Sequence, residues 1–80
     1  MKFVKVFSKE KCMQCKMVKN WLTAKGIEFT ETNVSQDKEA LNELQSLGFT
    51  SVPVTYIDTD NFNGYLQGFD IMGLRKHLEK

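Results

Sequence analysis

Apolar positions recur along the chain with two spacings, and each spacing predicts a different element. Residues 2–7 are dominated by Phe and Val, which predicts a first strand. Over residues 12–25 the apolar positions fall at helical spacing, and Gly26 follows as a C-terminal stop, so this segment predicts a helix. Its expected core positions are Met17, Val18, Trp21 and Leu22. Residues 27–33 carry β-branched and aromatic side chains and predict a second strand.

The second half of the chain predicts a helix, a hairpin and a final helix. Ser35 or Asp37 is placed to cap the first of these helices. Its expected buried face consists of Ala40, Leu41, Leu44 and Leu47. Residues 54–57 predict a third strand, and the turn-forming residues after it predict a hairpin into a short strand near residues 65–67. Asp70 is placed to cap the last helix.

The elements follow one another in the order β-α-β-α-β-β-α, which predicts an α/β fold. The first β-α-β unit requires a parallel pair of strands with a right-handed crossover, whereas the later hairpin is antiparallel. Three helices must then cover both faces of one four-stranded mixed sheet. A chain of 80 residues supports one domain, which we expect to span residues 1–80.

Composition and charge argue against several classes of protein. The chain is 41% apolar and 26% charged, which argues against disorder. Its 11 basic and 10 acidic residues give a net charge of +1, so we expect neither nucleic acid nor a membrane as a partner. The apolar run at the amino end is broken by Lys5 and is shorter than the roughly 7–15 residues of a secretory signal. We therefore expect a cytoplasmic protein, and we expect it to act as a monomer.

Candidate chemistry is concentrated in the only two cysteines, Cys12 and Cys15, at the start of the first predicted helix. Their spacing places both thiols on one side of the helix, where they can form a disulfide with little distortion. The opening turn of a helix also has free N–H groups and a partial positive charge. Both features stabilise a thiolate, which is the reactive form of cysteine.

The size of this stabilisation decides whether Cys12 is reactive near neutral pH. A helix terminus stabilises a nearby anion by ~0.3–2 kcal/mol, and one pKa unit corresponds to about 1.36 kcal/mol. At its upper limit the helix start therefore lowers the pKa of the Cys12 thiol from ~8.5 to about 7. An attacking thiol works best when its pKa lies near the ambient pH. Lys11 and Lys16 add little, because exposed charges are screened.

Other roles are open to the cysteine pair. A structural disulfide over so short a loop removes only about 2 kcal/mol of chain entropy, and such disulfides are rare in the cytoplasm. A zinc site needs about four ligands, and the only histidine is His77, which we expect on the solvated surface. Two inert core cysteines, or an iron–sulfur cluster bridged between two chains, are further alternatives. A Cys-x-x-Cys beside a β-α-β pattern favours redox chemistry over all of these.

Three motifs carry a resemblance to a known family. Residues 12–15 read Cys-Met-Gln-Cys and open the first helix, residues 51–54 read Ser-Val-Pro-Val before the hairpin, and residues 68–69 read Gly-Phe before the last helix. With these motifs the chain resembles the glutaredoxin-like branch of the thioredoxin fold, and within it the NrdH-type redoxins, over essentially its whole length. The resemblance implies a sheet order of 2-1-3-4. It also implies a cis peptide bond between Val52 and Pro53, with Pro53 lying against Cys12.

The resemblance also implies a function. NrdH-type redoxins are thiol–disulfide oxidoreductases that donate electrons to the manganese/iron class Ib ribonucleotide reductase. They are recharged by thioredoxin reductase with electrons from NADPH. No bound cofactor or metal is expected, since the redox group is the Cys12–Cys15 disulfide itself. Cys12 is expected to attack the target disulfide, and Cys15 to release the reduced target.

The resemblance further implies that the backbone of Val52 pairs with a bound partner. The expected partner-binding residues are Lys11, Met13, Gln14, Val52, Pro53, Gly68 and Phe69. Among them, Met13 and Phe69 are expected to form an apolar docking rim. The alternative function is that of a glutathione-dependent glutaredoxin. Glutaredoxins usually have a Gly-Gly pair that lets glutathione approach the backbone, whereas Phe69 replaces the second glycine in this chain.

Overall fold

The seven predicted elements are all present in the computed structural model, which describes residues 3–78. In chain order they are β1 Phe3–Ser8, α1 Met13–Ala24, β2 Thr30–Asn33, α2 Lys38–Ser46, β3 Val54–Asp58, β4 Asn63–Gln67 and α3 Ile71–Leu78. Lys2, which the sequence places in the first strand, lies outside the described residues. Within residues 3–78, no helix has the length and apolar character needed to cross a lipid bilayer.

The four strands form one mixed sheet in the order β2-β1-β3-β4. β1 is parallel to β2, with Lys5 opposite Thr30, and antiparallel to β3, with Lys5 opposite Tyr56. β3 and β4 form the antiparallel hairpin, with Tyr56 opposite Tyr65. This arrangement confirms the thioredoxin-like fold and the sheet order of 2-1-3-4. β1 is an interior strand of the sheet. The cysteine pair follows its carboxyl end and therefore lies beyond the ends of the strands, not beside an edge strand.

Alternation along the strands divides the core into two layers, one on each face of the sheet. The first layer lies under α1 and α3 and consists of Val4, Val6, Val18, Leu22, Ile57, Leu66, Leu74 and Leu78. The second lies under α2 and consists of Phe7, Val34, Ala40, Leu44 and Val54. Because the first layer includes α1, the helix that begins at the cysteines is fixed along its length to the sheet.

Strand β2 is shorter than the sequence predicts, because only Thr30–Asn33 pairs with β1. Gly26 follows α1 with a φ of +69°, and the N–H of Ile27 donates to the carbonyl of Leu22. This tight turn brings Ile27 and Phe29 against the α1/α3 layer before the strand begins. Their apolar character therefore reflects packing from a loop and not strand pairing.

Three apolar side chains predicted to be buried are exposed instead. Leu41 of α2 and Leu47, the C-cap residue that follows this helix, are both exposed, and Leu47 is 46% exposed. α2 meets the sheet along a narrow line at Ala40 and Leu44, so its wider apolar stripe is not covered. Met17 of α1 is 41% exposed, so its prediction as a core residue was also wrong.

The prediction of a solvated His77 was wrong as well. His77 is half-buried, and its ring stacks on that of Phe62 with 3.6 Å between centroids. Phe62 itself packs against the α1/α3 layer, so His77 extends this layer at the carboxyl end of α3. The caps were predicted more accurately, since Asp37 accepts from the N–H of Ala40 and Asp70 from the N–H of Gly73.

The burial pattern predicts that truncating a buried leucine destabilises the fold more than truncating an exposed one. Leu22→Ala removes a side chain that is fully buried, so it should lower the free energy of unfolding by about 2–5 kcal/mol. Leu47→Ala is the matched control and should cost less than ~1 kcal/mol, since surface substitutions usually have small effects. Urea unfolding of the oxidised protein measures both values. Equal losses for the two variants would contradict the assignment of the core.

Candidate active site

The two cysteines lie at the first turn of α1 and are joined as a disulfide. Cys12 is the N-cap residue, with an extended backbone, and Cys15 follows one turn later with a Cα–Cα distance of 5.2 Å. The Cys12 Sγ accepts a hydrogen bond from the N–H of Cys15 at 3.2 Å. Cys12 is half-buried, whereas Cys15 is only 1% exposed. A partner can therefore reach the first sulfur and not the second.

The approach to the cysteine pair contains an uncommon backbone conformation at Lys11. Its φ of +58° lies in the left-handed region, where a residue with a side chain costs roughly 1–2 kcal/mol. This turn reverses the chain between the end of β1 and the start of α1, and it directs Cys12 to the N-cap position. The Lys11 side chain itself is exposed, as expected for a residue that meets a partner.

Gln14, predicted as a partner-binding residue, makes a hydrogen bond within the chain. Its Oε1 accepts from the N–H of Phe69 at 3.3 Å, which ties the first turn of α1 to the loop between β4 and α3. Gly68 has a φ of +72°, and a Cβ at this position would lie 3.3 Å from the same oxygen. The backbone conformation therefore favours glycine here, and a larger residue would also crowd the Gln14 oxygen.

A second hydrogen bond extends this connection to the segment before β3. The N–H of Gly68 donates to the carbonyl of Pro53 at 2.8 Å, and the peptide bond between Val52 and Pro53 is cis, as the resemblance implied. The three predicted motifs are therefore linked in series, from Gln14 through the loop at Gly68 to Pro53. Pro53 is buried and Val52 is half-buried.

The predicted apolar rim is only partly exposed. Met13 is 70% exposed beside the disulfide, whereas Phe69 is half-buried and packs against the α1/α3 layer. Val52 borders a cavity of about 210 Å³ on the α2 side of the sheet. This cavity is lined by Lys9, Val34, Leu41, Leu44, Gln45, Phe49, Thr50, Ser51 and Val52. The surface near the motifs thus includes an exposed methionine and a concave, largely apolar pocket.

Comparison with known proteins identifies the family. The glutaredoxin family model matches residues 4–62, which include both cysteines and the cis proline. The chain belongs to the glutaredoxin family. It is 42% identical to the glutaredoxin-like protein NrdH of Lactococcus lactis subsp. cremoris over 62 residues, which cover 78% of this chain and 86% of that protein. It is therefore a NrdH-like redox protein and a thiol–disulfide oxidoreductase of this family.

Two other relatives extend the comparison. The glutaredoxin-like NrdH-redoxin of Escherichia coli superimposes with a TM-score of 0.74 at 28% identity, covering 88% of this chain and 90% of that one. The N-acetyl-S-hydroxy-L-cysteine reductase of Bacillus subtilis is 36% identical over 75 residues, which cover 92% of this chain and 76% of that protein. The similarity thus includes the region after residue 62, where the family model ends.

A buried hydroxyl beneath the glutaredoxin-family site belongs to a network that the sequence analysis missed. Ser8, at the end of β1, donates from Oγ to Glu31 Oε2 at 2.8 Å. Lys19 of α1 donates to the same oxygen at 2.7 Å. Both hydrogen bonds lower the pKa of the Glu31 carboxyl from its usual value, and the bond from Lys19 has the larger effect. No local sequence pattern predicts this contact, since Ser8 and Glu31 are 23 positions apart.

A second missed network involves the loop just before Cys12. The Glu10 carboxylate accepts hydrogen bonds from Asn33 Nδ2 at 3.2 Å, from Gln36 Nε2 at 3.4 Å and from Ser35 Oγ. The contact with Ser35 contributes most to lowering the pKa of the Glu10 carboxyl. No sequence pattern predicts this contact, since Glu10 and Ser35 are 25 positions apart.

The described residues do not provide a metal centre. Within residues 3–78 there is no group of three or more His, Cys, Asp or Glu side chains that could hold a metal ion. His77 lies at the end of α3, stacked on Phe62, and the cysteines open α1. The disulfide between Cys12 and Cys15 at the start of α1 supports exchange between thiols and disulfides.

The pKa shift of Glu31 predicts a pH dependence of stability. Because its pKa is lower in the folded protein than in the unfolded chain, the stabilisation is present above the unfolded pKa of ~4.3 and is lost as the pH falls through the folded value. The wild type should therefore exceed Glu31→Gln in unfolding free energy by under ~1 kcal/mol at pH 7, since the pair with Lys19 is exposed.

Urea unfolding at several pH values between neutrality and pH 3 measures this difference, which should shrink as the solution becomes acidic. A difference between wild type and Glu31→Gln that stays constant or grows toward low pH would contradict the assignment.

Proposed function

We propose that the chain carries electrons to protein disulfides, that its target is a class Ib ribonucleotide reductase, and that thioredoxin reductase and NADPH recharge it. The observation that carries the proposal is the 42% identity to the NrdH of Lactococcus lactis, together with a cysteine pair at a helix start. The E. coli NrdH-redoxin, which shares the fold, is described as having a thioredoxin-like activity profile.

The first step uses the accessible sulfur. In the reduced protein, the Cys12 thiolate attacks one sulfur of the target disulfide, so that a mixed disulfide forms and the second target sulfur leaves as a thiolate. The N–H of Cys15 faces the Cys12 sulfur in the disulfide and is available to stabilise the thiolate before the attack. The exposed Met13 borders the path of approach.

The second step uses the buried sulfur. The Cys15 thiolate attacks the Cys12 sulfur, which breaks the mixed disulfide and releases the other target sulfur as a thiolate. Two electrons and two proton equivalents have then passed to the target, and the chain holds the Cys12–Cys15 disulfide. Because Cys15 lies one turn from Cys12, with a Cα–Cα distance of 5.2 Å, its attack is intramolecular, and an external thiol competes poorly with it for this step. The reductase restores both thiols by the reverse exchanges.

Two features support a protein reductant in preference to glutathione. The N–H of Phe69 already donates to Gln14, so this backbone donor is occupied within the chain. Phe69 also places a large side chain where the glutaredoxin pattern has glycine. Together they support a surface that receives another protein and not a small peptide thiol.

A second candidate substrate is a small sulfenic acid, which the 36% identity to the Bacillus subtilis reductase favours. The Cys12 thiolate would attack the sulfenic sulfur, and the hydroxyl would leave as water with one proton taken up. Cys15 would then release the small thiol as before. The cavity of about 210 Å³ beside Val52 offers room for a small acylated amino acid, and Lys9 supplies a positive charge at its lining.

A coupled assay tests the assignment. The oxidised protein is supplied with NADPH and bacterial thioredoxin reductase, and a parallel reaction receives glutathione, glutathione reductase and NADPH. The loss of NADPH absorbance should be fast in the first reaction and at least about tenfold slower in the second, because the reductase must recognise the chain as a protein partner. Oxidised class Ib ribonucleotide reductase, which carries a disulfide, serves as the acceptor in one arm and N-acetylcysteine sulfenic acid in another.

Cys12→Ser is the matched control and should abolish NADPH consumption in every arm. Faster turnover with glutathione than with thioredoxin reductase would overturn the proposed electron source. Turnover with the sulfenic acid and none with ribonucleotide reductase would replace the proposed target by the second candidate.

A further inference from the structure

Glu10 occupies an unusual place in the loop that presents the reactive sulfur. It lies two positions before Cys12, and its carboxylate accepts from three side chains: Asn33, the last residue of β2, and Ser35 and Gln36 just after it. Asn33 and Ser35 also contact each other, since the N–H of Ser35 donates to Asn33 Oδ1 at 2.9 Å. One carboxylate thus joins the loop before α1 to a turn that is itself ordered.

The residue between Glu10 and Cys12 explains why such a tie matters. Lys11 has a φ of +58°, a conformation that a residue with a side chain keeps only when its surroundings impose it. On the amino side of the loop, the carbonyl of Ser8 accepts from the N–H of Val34, so the end of β1 is held to the same turn. On the carboxyl side, Cys12 is fixed as the N-cap residue of α1. Glu10 holds the part of the loop between these two points.

We propose that Glu10 is a positioning residue for thiol–disulfide exchange: by binding the turn at residues 33–36, it holds Lys11 in its left-handed conformation and Cys12 at the N-cap. Its action passes through the backbone, and it does not touch the reacting sulfur. The proposal concerns the exchange step itself, so it stands whether the partner is a protein disulfide or a small sulfenic acid.

Two substitutions break this contact from opposite sides while keeping the negative charge. Glu10→Asp retains the carboxylate but shortens the side chain by one methylene, and Ser35→Ala removes a donor. Glu28→Ala is the matched control, since Glu28 is an exposed acidic residue before β2, at the far end of β1 from Cys12. The probe is the reduced protein reacting with an aromatic disulfide in single-turnover stopped flow.

The rate is measured as a function of pH, so that the rate constant of the Cys12 thiolate is separated from its pKa. Glu10→Asp and Ser35→Ala should each lower the thiolate rate constant by about three- to tenfold, because small displacements of a reacting group are costly. The double variant should be no slower than the slower single variant, because the contact that Ser35→Ala removes is among those that Glu10→Asp breaks. Glu28→Ala should react like the wild type.

Urea unfolding of the same variants separates positioning from general stability. The proposal is overturned if both variants keep the wild-type thiolate rate constant, whatever their stability. It is also overturned if the two losses multiply in the double variant, or if Glu28→Ala slows the reaction as much. Should Glu10→Asp fail to fold, Ser35→Ala decides the question alone.

Discussion

We propose that the function of this chain depends on one hydrogen bond, from the N–H of Cys15 to the sulfur of Cys12. It exists because Cys12 is the N-cap residue of α1, where backbone N–H groups lack partners within the helix. The same opening turn makes one sulfur accessible and the other buried. Stabilisation of a thiolate, exposure to a partner and a resolving thiol nearby therefore come from a single local structure.

The rest of the fold keeps that turn in place. Packing of α1 on the sheet fixes the direction of the helix, while Gln14 ties its first turn to the loop at Phe69. The bond from Gly68 to Pro53 continues this connection to the segment before β3. On the other side, the contacts of Glu10 brace the strained backbone at Lys11. Segments far apart in sequence thus converge on the first turn of one helix.

The sequence predicts the elements and the cysteine site, because these follow from periodicity, capping residues and a short motif, and the resemblance to the NrdH-type redoxins implies the sheet order. It does not predict which apolar residues are covered: Leu47 and Ile27 look alike in pattern, but the narrow contact of α2 exposes the first and a tight turn buries the second against the core. It also misses the partners of Ser8 and Glu10, since each contact joins side chains more than 20 positions apart. Such contacts depend on the three-dimensional arrangement of the loops and leave no local signal.

Titration of the Cys12 thiol tests the central claim most directly. In Cys15→Ser the N–H at position 15 is retained and Cys12 is the only thiol, so its ionisation can be followed by thiolate absorbance in the ultraviolet. Stabilisation by the helix start should lower the pKa below the ~8.5 of a free cysteine, to about 7 at the upper limit of the effect, and alkylation should be correspondingly faster at neutral pH. A pKa at or above that of free cysteine, with slow alkylation, would contradict the account.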